Sequence, residues 1–211
     1  MKMRHLTCGF ALGLIVAITA GTVRFQDAPP GMDAQAMAMV KSMKAAHDNP
    51  TVPSEFHKKL DHFIGDWDVT VRMWMMGPDS APLETAGTAE VKWIYGQRFA
   101  VETMEAQLEM GGMKIPLESM TITGYDNFRN QYVGSMCSAM STEIINFQGG
   151  VTLDGTTFNF YGTMHEPMLN VAGRLVRFTT TIVDEDNHTV SVYDLHAGED
   201  YKVLEFAYRR R

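Results

Sequence analysis

The chain has 211 residues, 45% of them hydrophobic, which suits one domain with extensions and excludes a disordered polymer. Its formal charge of -7 makes nucleic acid a poor partner, because an acidic surface is repelled by phosphate backbones. The closing Arg209-Arg210-Arg211 is a local exception that reads as a solvated strand end.

Lys2, Arg4 and His5 precede an apolar run from Gly9 to Gly21, and Ile18-Thr19-Ala20 ends on a small residue. This pattern predicts a signal peptide over residues 1–20 and export, to the periplasm or as a secreted protein. The alternative is a membrane anchor left uncleaved, because uncharged residues run on from Leu6 to Val23. That run falls short of the roughly 20 strongly apolar residues a span needs, so no stable membrane span is expected after cleavage. Cleavage also removes Cys8 and leaves Cys137 alone, so no intrachain disulfide forms and the core must hold the domain. A lone thiol of this kind reads as a small buried hydrophobe.

Residues 21–52 read as a linker and an amphipathic helix. The linker occupies 24–31. The helix runs from Asp33, its cap, to His47, and Asp48-Asn49-Pro50 stops it. Ala36, Met39, Val40, Met43 and Ala46 fall on one face at helical spacing. A second helix is predicted from the cap Ser54 to about Phe63, with Phe56, Leu60, Phe63 and Ile64 on one side.

From Asp66 the period becomes two: Trp67, Val69, Val71, Met73 and Met75 alternate with mostly polar neighbours. Similar runs follow at about 84–95, 98–110, 115–124, 130–138, 142–148, 156–164, 172–183, 188–196 and 201–210. Gly111-Gly112, Asp154-Gly155 and Asp184-Glu-Asp-Asn187 are among the turns between them. Ten strands with no helical pattern between them predict an all-β, antiparallel, up-and-down barrel or a sandwich, over residues 53–211. The barrel is favoured because pairing the first strand with the last removes two exposed edges. Inward candidates are Val91 and Trp93, Met104 and Leu108, Met120 and Ile122, Met136, Phe158 and Phe160, Val176, Phe178 and Ile182, and Leu204 and Phe206.

Glu55-x-His57-x-x-Leu60, Gly65-x-Trp67, Gly124-Tyr125-Asp126 with Tyr132, Asp154-Gly155, Glu166-Pro167 and Tyr208-Arg209-Arg210 occur in this order. Together they resemble a bacterial family, the domain-of-unknown-function 1579 group, across residues 53–211. The resemblance implies a lipocalin-like (calycin) barrel of about ten strands with one or two N-terminal helices, and no established activity. One departure stands out: Met136-Cys137-Ser138 replaces the tryptophan and Asp-Ser pair usual after Gly-Tyr-Asp. In such barrels the Gly-x-Trp indole packs under an arginine of the last strand. Arg209 is the expected partner of Trp67, with Arg210 if the register differs by one. His57, Gly65, Trp67 and Arg209 thus form the expected structural closure, His57 hydrogen-bonding a strand backbone or carboxylate.

His57 and His62 lie about 140° apart on a helix and do not share a metal. No His-Glu-x-x-His or paired-cysteine motif occurs, so no metal site is predicted. His165, His188 and His196 fall at strand ends or turns. By analogy with nitrobindin-like barrels, His165 or His196 is a haem-ligand candidate, although no cofactor is expected. Seventeen methionines raise copper as a further alternative, but their dispersal favours core and pocket lining. Glu102 shares a face with Ala100, Met104, Ala106 and Leu108, which would bury a carboxylate with a raised pKa unless a bulge turns it outward. No catalytic signature occurs, so a non-enzymatic binder of a small apolar molecule is the leading expectation. Tyr95, Glu102, Met104, Tyr132, Met136 and Phe160 are its candidate ligand contacts. The alternative is a structural or interaction module with a filled core.

Overall fold

A computed structural model describes residues 33–166 and 169–211. The expected signal peptide at 1–20 and the linker at 24–31 lie outside the described residues. α1 spans Ala34–Asp48, and its cap Asp33 accepts a hydrogen bond from Ala36 N at 2.8 Å. α2 is the single turn Glu55–Lys58, followed by a 3-10 turn at Asp61–Phe63. The ten strands are β1 Gly65–Met73, β2 Leu83–Ile94, β3 Phe99–Met110, β4 Met113–Asp126 and β5 Gln131–Ser138, then β6 Ile145–Val151, β7 Thr157–Glu166, β8 Val171–Asp184, β9 Asn187–Asp194 and β10 Lys202–Arg210. Each pairs antiparallel with its neighbours in sequence, and β1 pairs with β10, so the sheet is a closed barrel. Closure satisfies the two edges that an open meander would expose.

Turn geometry sets which residues face inward. Gly111 and Gly112 both have positive φ, 58° and 78°, which a two-residue hairpin turn requires and glycine supplies without strain. The turn pairs Met110 with Met113, and counting back along the ladder sets Met104 opposite Ser119 and Glu102 opposite Thr121. Opposed residues share a face of the sheet. Ser119, Thr121 and Thr123 of β4 therefore face inward, on the same side as the core residue Leu117. Met120, expected inside, is on the outer face and 48% exposed, and Ile122 shares that outer face.

The core has two parts. One joins Phe56 and Leu60 to Tyr132, Phe158, Phe160 and Phe178, and α1 adds Ala46 with Met39 and Met43 beside it. The other packs Trp67, Val69 and Val71 against Ala89, Val91, Met104 and Leu108. The segment between α1 and α2 is tied to the barrel by Asn127, which donates to Asn49 O at 3.0 Å and Val52 O at 2.7 Å. No helix among the described residues is long and apolar enough to cross a membrane.

Candidate functional site

Trp67 opens β1 and is fully buried at the barrel end that the 3-10 turn covers. Its Nε1 donates to Phe63 O at 2.8 Å, fixing the indole beneath that turn. Trp67 lies opposite Arg210 in the β1–β10 ladder, and the Arg210 guanidinium sits 4.2 Å above the indole. That guanidinium also donates to Ile64 O at 2.9 Å and His62 O at 2.7 Å. One side chain thus binds the indole face and the backbone of the covering turn. Gly65, with φ of 132°, permits this approach, since a Cβ there would stand 3.0 Å from Arg210 Nη1. On the inner side of the indole, His188 meets Trp67 edge-on at 4.5 Å and stacks on Tyr208 at 4.2 Å.

Above this floor the barrel holds a cavity of about 170 Å³. Phe147, Phe158, Phe160 and Phe178, from β6, β7 and β8, form one wall. The opposite wall is polar: Glu102 of β3 beside Ser119, Thr121 and Thr123 of β4. Tyr208 reaches across from β10, and its Oη donates to Glu102 Oε1 at 3.2 Å. Glu102 lines this cavity, and burial pushes its carboxyl up to about 7 against the opposing effect of the Tyr208 hydrogen bond. Burial, reinforced by His62 and Arg210, pushes His188 down to about 3, so its imidazole is neutral at ordinary pH. His188 Nδ1 is enclosed and has no hydrogen-bond partner. Among the described residues, no lysine or arginine lines the cavity.

A family model described as "Protein of unknown function (DUF1579)" matches residues 52–210. The chain belongs to the DUF1579 family. No curated protein matches it. Among solved structures it is similar to Rv2717c from M. tuberculosis at 16% identity and a TM-score of 0.50, covering 73% of this chain and 96% of that one. It is also similar to the S-type phycobiliprotein lyase CPES from Guillardia theta at 9% identity and a TM-score of 0.46, covering 74% and 91%. The first likeness is one of fold alone.

Of the candidate contacts, this DUF1579 barrel brings Glu102, Met104, Met136 and Phe160 to the cavity wall. Tyr95 is not there. It lies in the β2–β3 turn with φ of 48° and is 75% exposed. Tyr132 is buried but used by the fold: its Oη donates to Phe56 O at 2.9 Å and pins α2. Arg209 is not the partner of Trp67. It lies opposite Asp68 on the outer face and pairs with that carboxylate at 2.9 Å, because an arginine one residue out of phase with Trp67 must point outward. His57 bonds its own helix cap and no strand: its Nδ1 accepts from Ser54 N at 3.0 Å. Gly65 and Trp67 hold the closed end as described.

The haem candidates also lie elsewhere. His165 Nδ1 accepts from Gly173 N at 3.1 Å, and His196 Nδ1 accepts from Leu175 N at 3.1 Å. Neither lines the cavity, and about 170 Å³ does not accommodate a four-ring macrocycle. No group of three or more His, Cys, Asp or Glu suited to a metal occurs among the described residues. Sequence reasoning missed Ser119, Thr121, Thr123, Thr180, His188 and Tyr208 as cavity residues. The signal for Tyr208 is its alternation with Leu204 and Phe206. For the β4 residues it is the Gly111-Gly112 turn.

Proposed function

We propose that the protein binds one small, largely apolar molecule inside the barrel and performs no chemistry on it. The observation carrying this reading is the cavity of about 170 Å³ between an aromatic wall and a short polar wall. Drug-sized ligands occupy roughly 300–1,000 Å³, so the ligand is smaller than those. A dry apolar cavity of about 150 Å³ takes benzene, which sets the scale at one ring with a short substituent. The competing reading, a structural module with a filled core, is less favoured because polar side chains line a space that packing alone would fill with methyl groups.

The segment 1–20 further suggests that binding occurs outside the cytoplasm. An intact mass lacking those residues in exported protein would support this, and retention of Met1 would count against it. For binding itself, benzyl alcohol is the probe. It should raise the melting temperature of the wild type in a concentration-dependent way, and Val190→Trp, which fills the cavity, should remove the response. A folded wild type with no response to benzyl alcohol or benzylamine, and no small molecule retained in native mass spectrometry, would sink the proposal.

A further inference from the structure

The polar wall has a consistent chemical character. Ser119, Thr121 and Thr123 present uncharged hydroxyls that can donate or accept hydrogen bonds, and His188 is a neutral imidazole. Glu102 is the one carboxyl on the wall, and its hydrogen bond from Tyr208 leaves acceptor capacity unused. No side-chain cation lines the cavity among the described residues to balance that carboxyl. A buried carboxylate is costly unless paired, and the cavity wall offers Glu102 no counter-charge of its own. The opposite wall is made of phenyl rings, and a ring favours a cation placed over its face.

We infer that the ligand is a small primary amine with a compact apolar body, its ammonium held by Glu102 and the neighbouring hydroxyl of Thr121 while its body packs against Phe147, Phe160 and Phe178. The inference rests on the proposed binding in the cavity and adds the sign of the ligand's charge. It follows from placement: Glu102 and Thr121 are directly opposed in the β3–β4 ladder, and the aromatic wall faces them across the cavity. An anionic ligand would find hydroxyl donors there but no cation, and would meet the carboxyl of Glu102. The carboxyl standing near pH 7 means that an ammonium arriving beside it draws it to the charged form.

Isothermal titration of the full protein with benzylamine, benzyl alcohol and benzoate at pH 7.5 separates the possibilities. These probes have nearly the same size and differ in charge. Benzylamine should bind at least roughly tenfold more tightly than benzyl alcohol, and benzoate should not bind, as expected for a hydrogen bond between charged groups. Glu102→Gln should lose that preference while keeping affinity for benzyl alcohol. Glu102→Leu serves as a second variant, with circular dichroism checking both folds. The other titratable groups lining the cavity are Tyr208 and His188, so Tyr208→Phe should weaken benzylamine far less than Glu102→Gln does. If benzyl alcohol binds as well as benzylamine, or if Glu102→Gln leaves their ratio unchanged, the amine inference fails and binding in the cavity survives. If none of the three probes binds the folded wild type and native mass spectrometry finds no retained small molecule, the cavity reading itself fails; if a molecule is retained, its charge decides the amine inference.

Discussion

Replacing Glu102 by glutamine should change how stability depends on pH. Burial lifts the carboxyl from its ordinary 4.5 to about 7 in the folded protein, so the native state keeps a proton that the unfolded chain has released. The stability associated with that proton is complete below pH 4.5. It falls as pH rises towards 7 and is constant above, because over that window the native state binds more protons than the unfolded one. The difference between 4.5 and about 7 corresponds to about 3 kcal/mol. The carboxamide of the variant has similar shape and can still accept from Tyr208, but it does not titrate. His57, His62 and His188 act in the opposite direction, since their lowered pKa values cost stability as pH falls below 6.5. Both proteins share those histidines, so their contribution cancels in the difference. Urea unfolding at pH 4.5, 5.5, 6.5 and 8 measures it. Glu102→Gln should gain about 3 kcal/mol relative to wild type between the lowest and highest pH, with unchanged m-values. Curves parallel to within about 0.5 kcal/mol would refute the burial argument, as would a wild type that gains on the variant with rising pH.

Three further outcomes follow from the same geometry. His188→Phe keeps a ring against Trp67 and Tyr208 but removes an imidazole pushed down to about 3, so at pH 4 it should recover about 3 kcal/mol of the stability that wild type loses below pH 6.5, read by urea unfolding at pH 7 and 4. Arg210→Ala should cost about 3 kcal/mol, because it removes the cation over Trp67 and two charged hydrogen bonds to the covering turn, whereas Arg209→Ala should cost less than about 1 kcal/mol, having only the exposed pair with Asp68. Equal losses for the two in chemical denaturation would reverse their assignment. Gly149→Ala would place a Cβ 1.8 Å from Asn159 O in the β6–β7 ladder, and backbone cannot yield as a side chain does, so a loss of about 3 kcal/mol or more is expected in thermal or urea unfolding. An unaffected midpoint would show that the strands do not approach so closely.

The barrel was legible because period-two alternation and turn residues are local signals, and ten strands with nothing between them leave few ways to hide their edges. Phase was harder. Trp67 and Arg210 share a face because they are directly opposed, and alternation through Leu204, Phe206 and Tyr208 already gives Arg210 its inward direction. The alternative Arg210, one register away from the expected Arg209, is the residue that this alternation selects. On β4 the error came from hydrophobicity: Met120 and Ile122 look like core and Ser119 and Thr121 like surface. A two-residue turn at Gly111-Gly112 overrides that preference, since it leaves the ladder one register and each residue one face. Tyr132 could not be separated from the cavity residues by pattern, because its role depends on a carbonyl 76 positions earlier.

That inversion of β4 bears on function. Beside the cavity β4 turns Met120 and Ile122 outward and Ser119, Thr121 and Thr123 inward, against the packing rule that Leu117 of the same strand follows. At the closed end Arg210 has the carbonyls of His62 and Ile64, and Trp67 has that of Phe63. Glu102 has a single hydroxyl from Tyr208 and no cation, beside a row of hydroxyls lining the cavity. An apolar side chain at 102 would avoid the cost worked out above, about 3 kcal/mol at neutral pH, out of a total that for most domains is only about 5–15. A carboxyl held there at such a cost sets stability against another use of the position, and the proposed ammonium ligand would offset that cost. The seal at Trp67 accounts for the container, and the opposed pair Glu102 and Thr121 is where the proposed ammonium would sit.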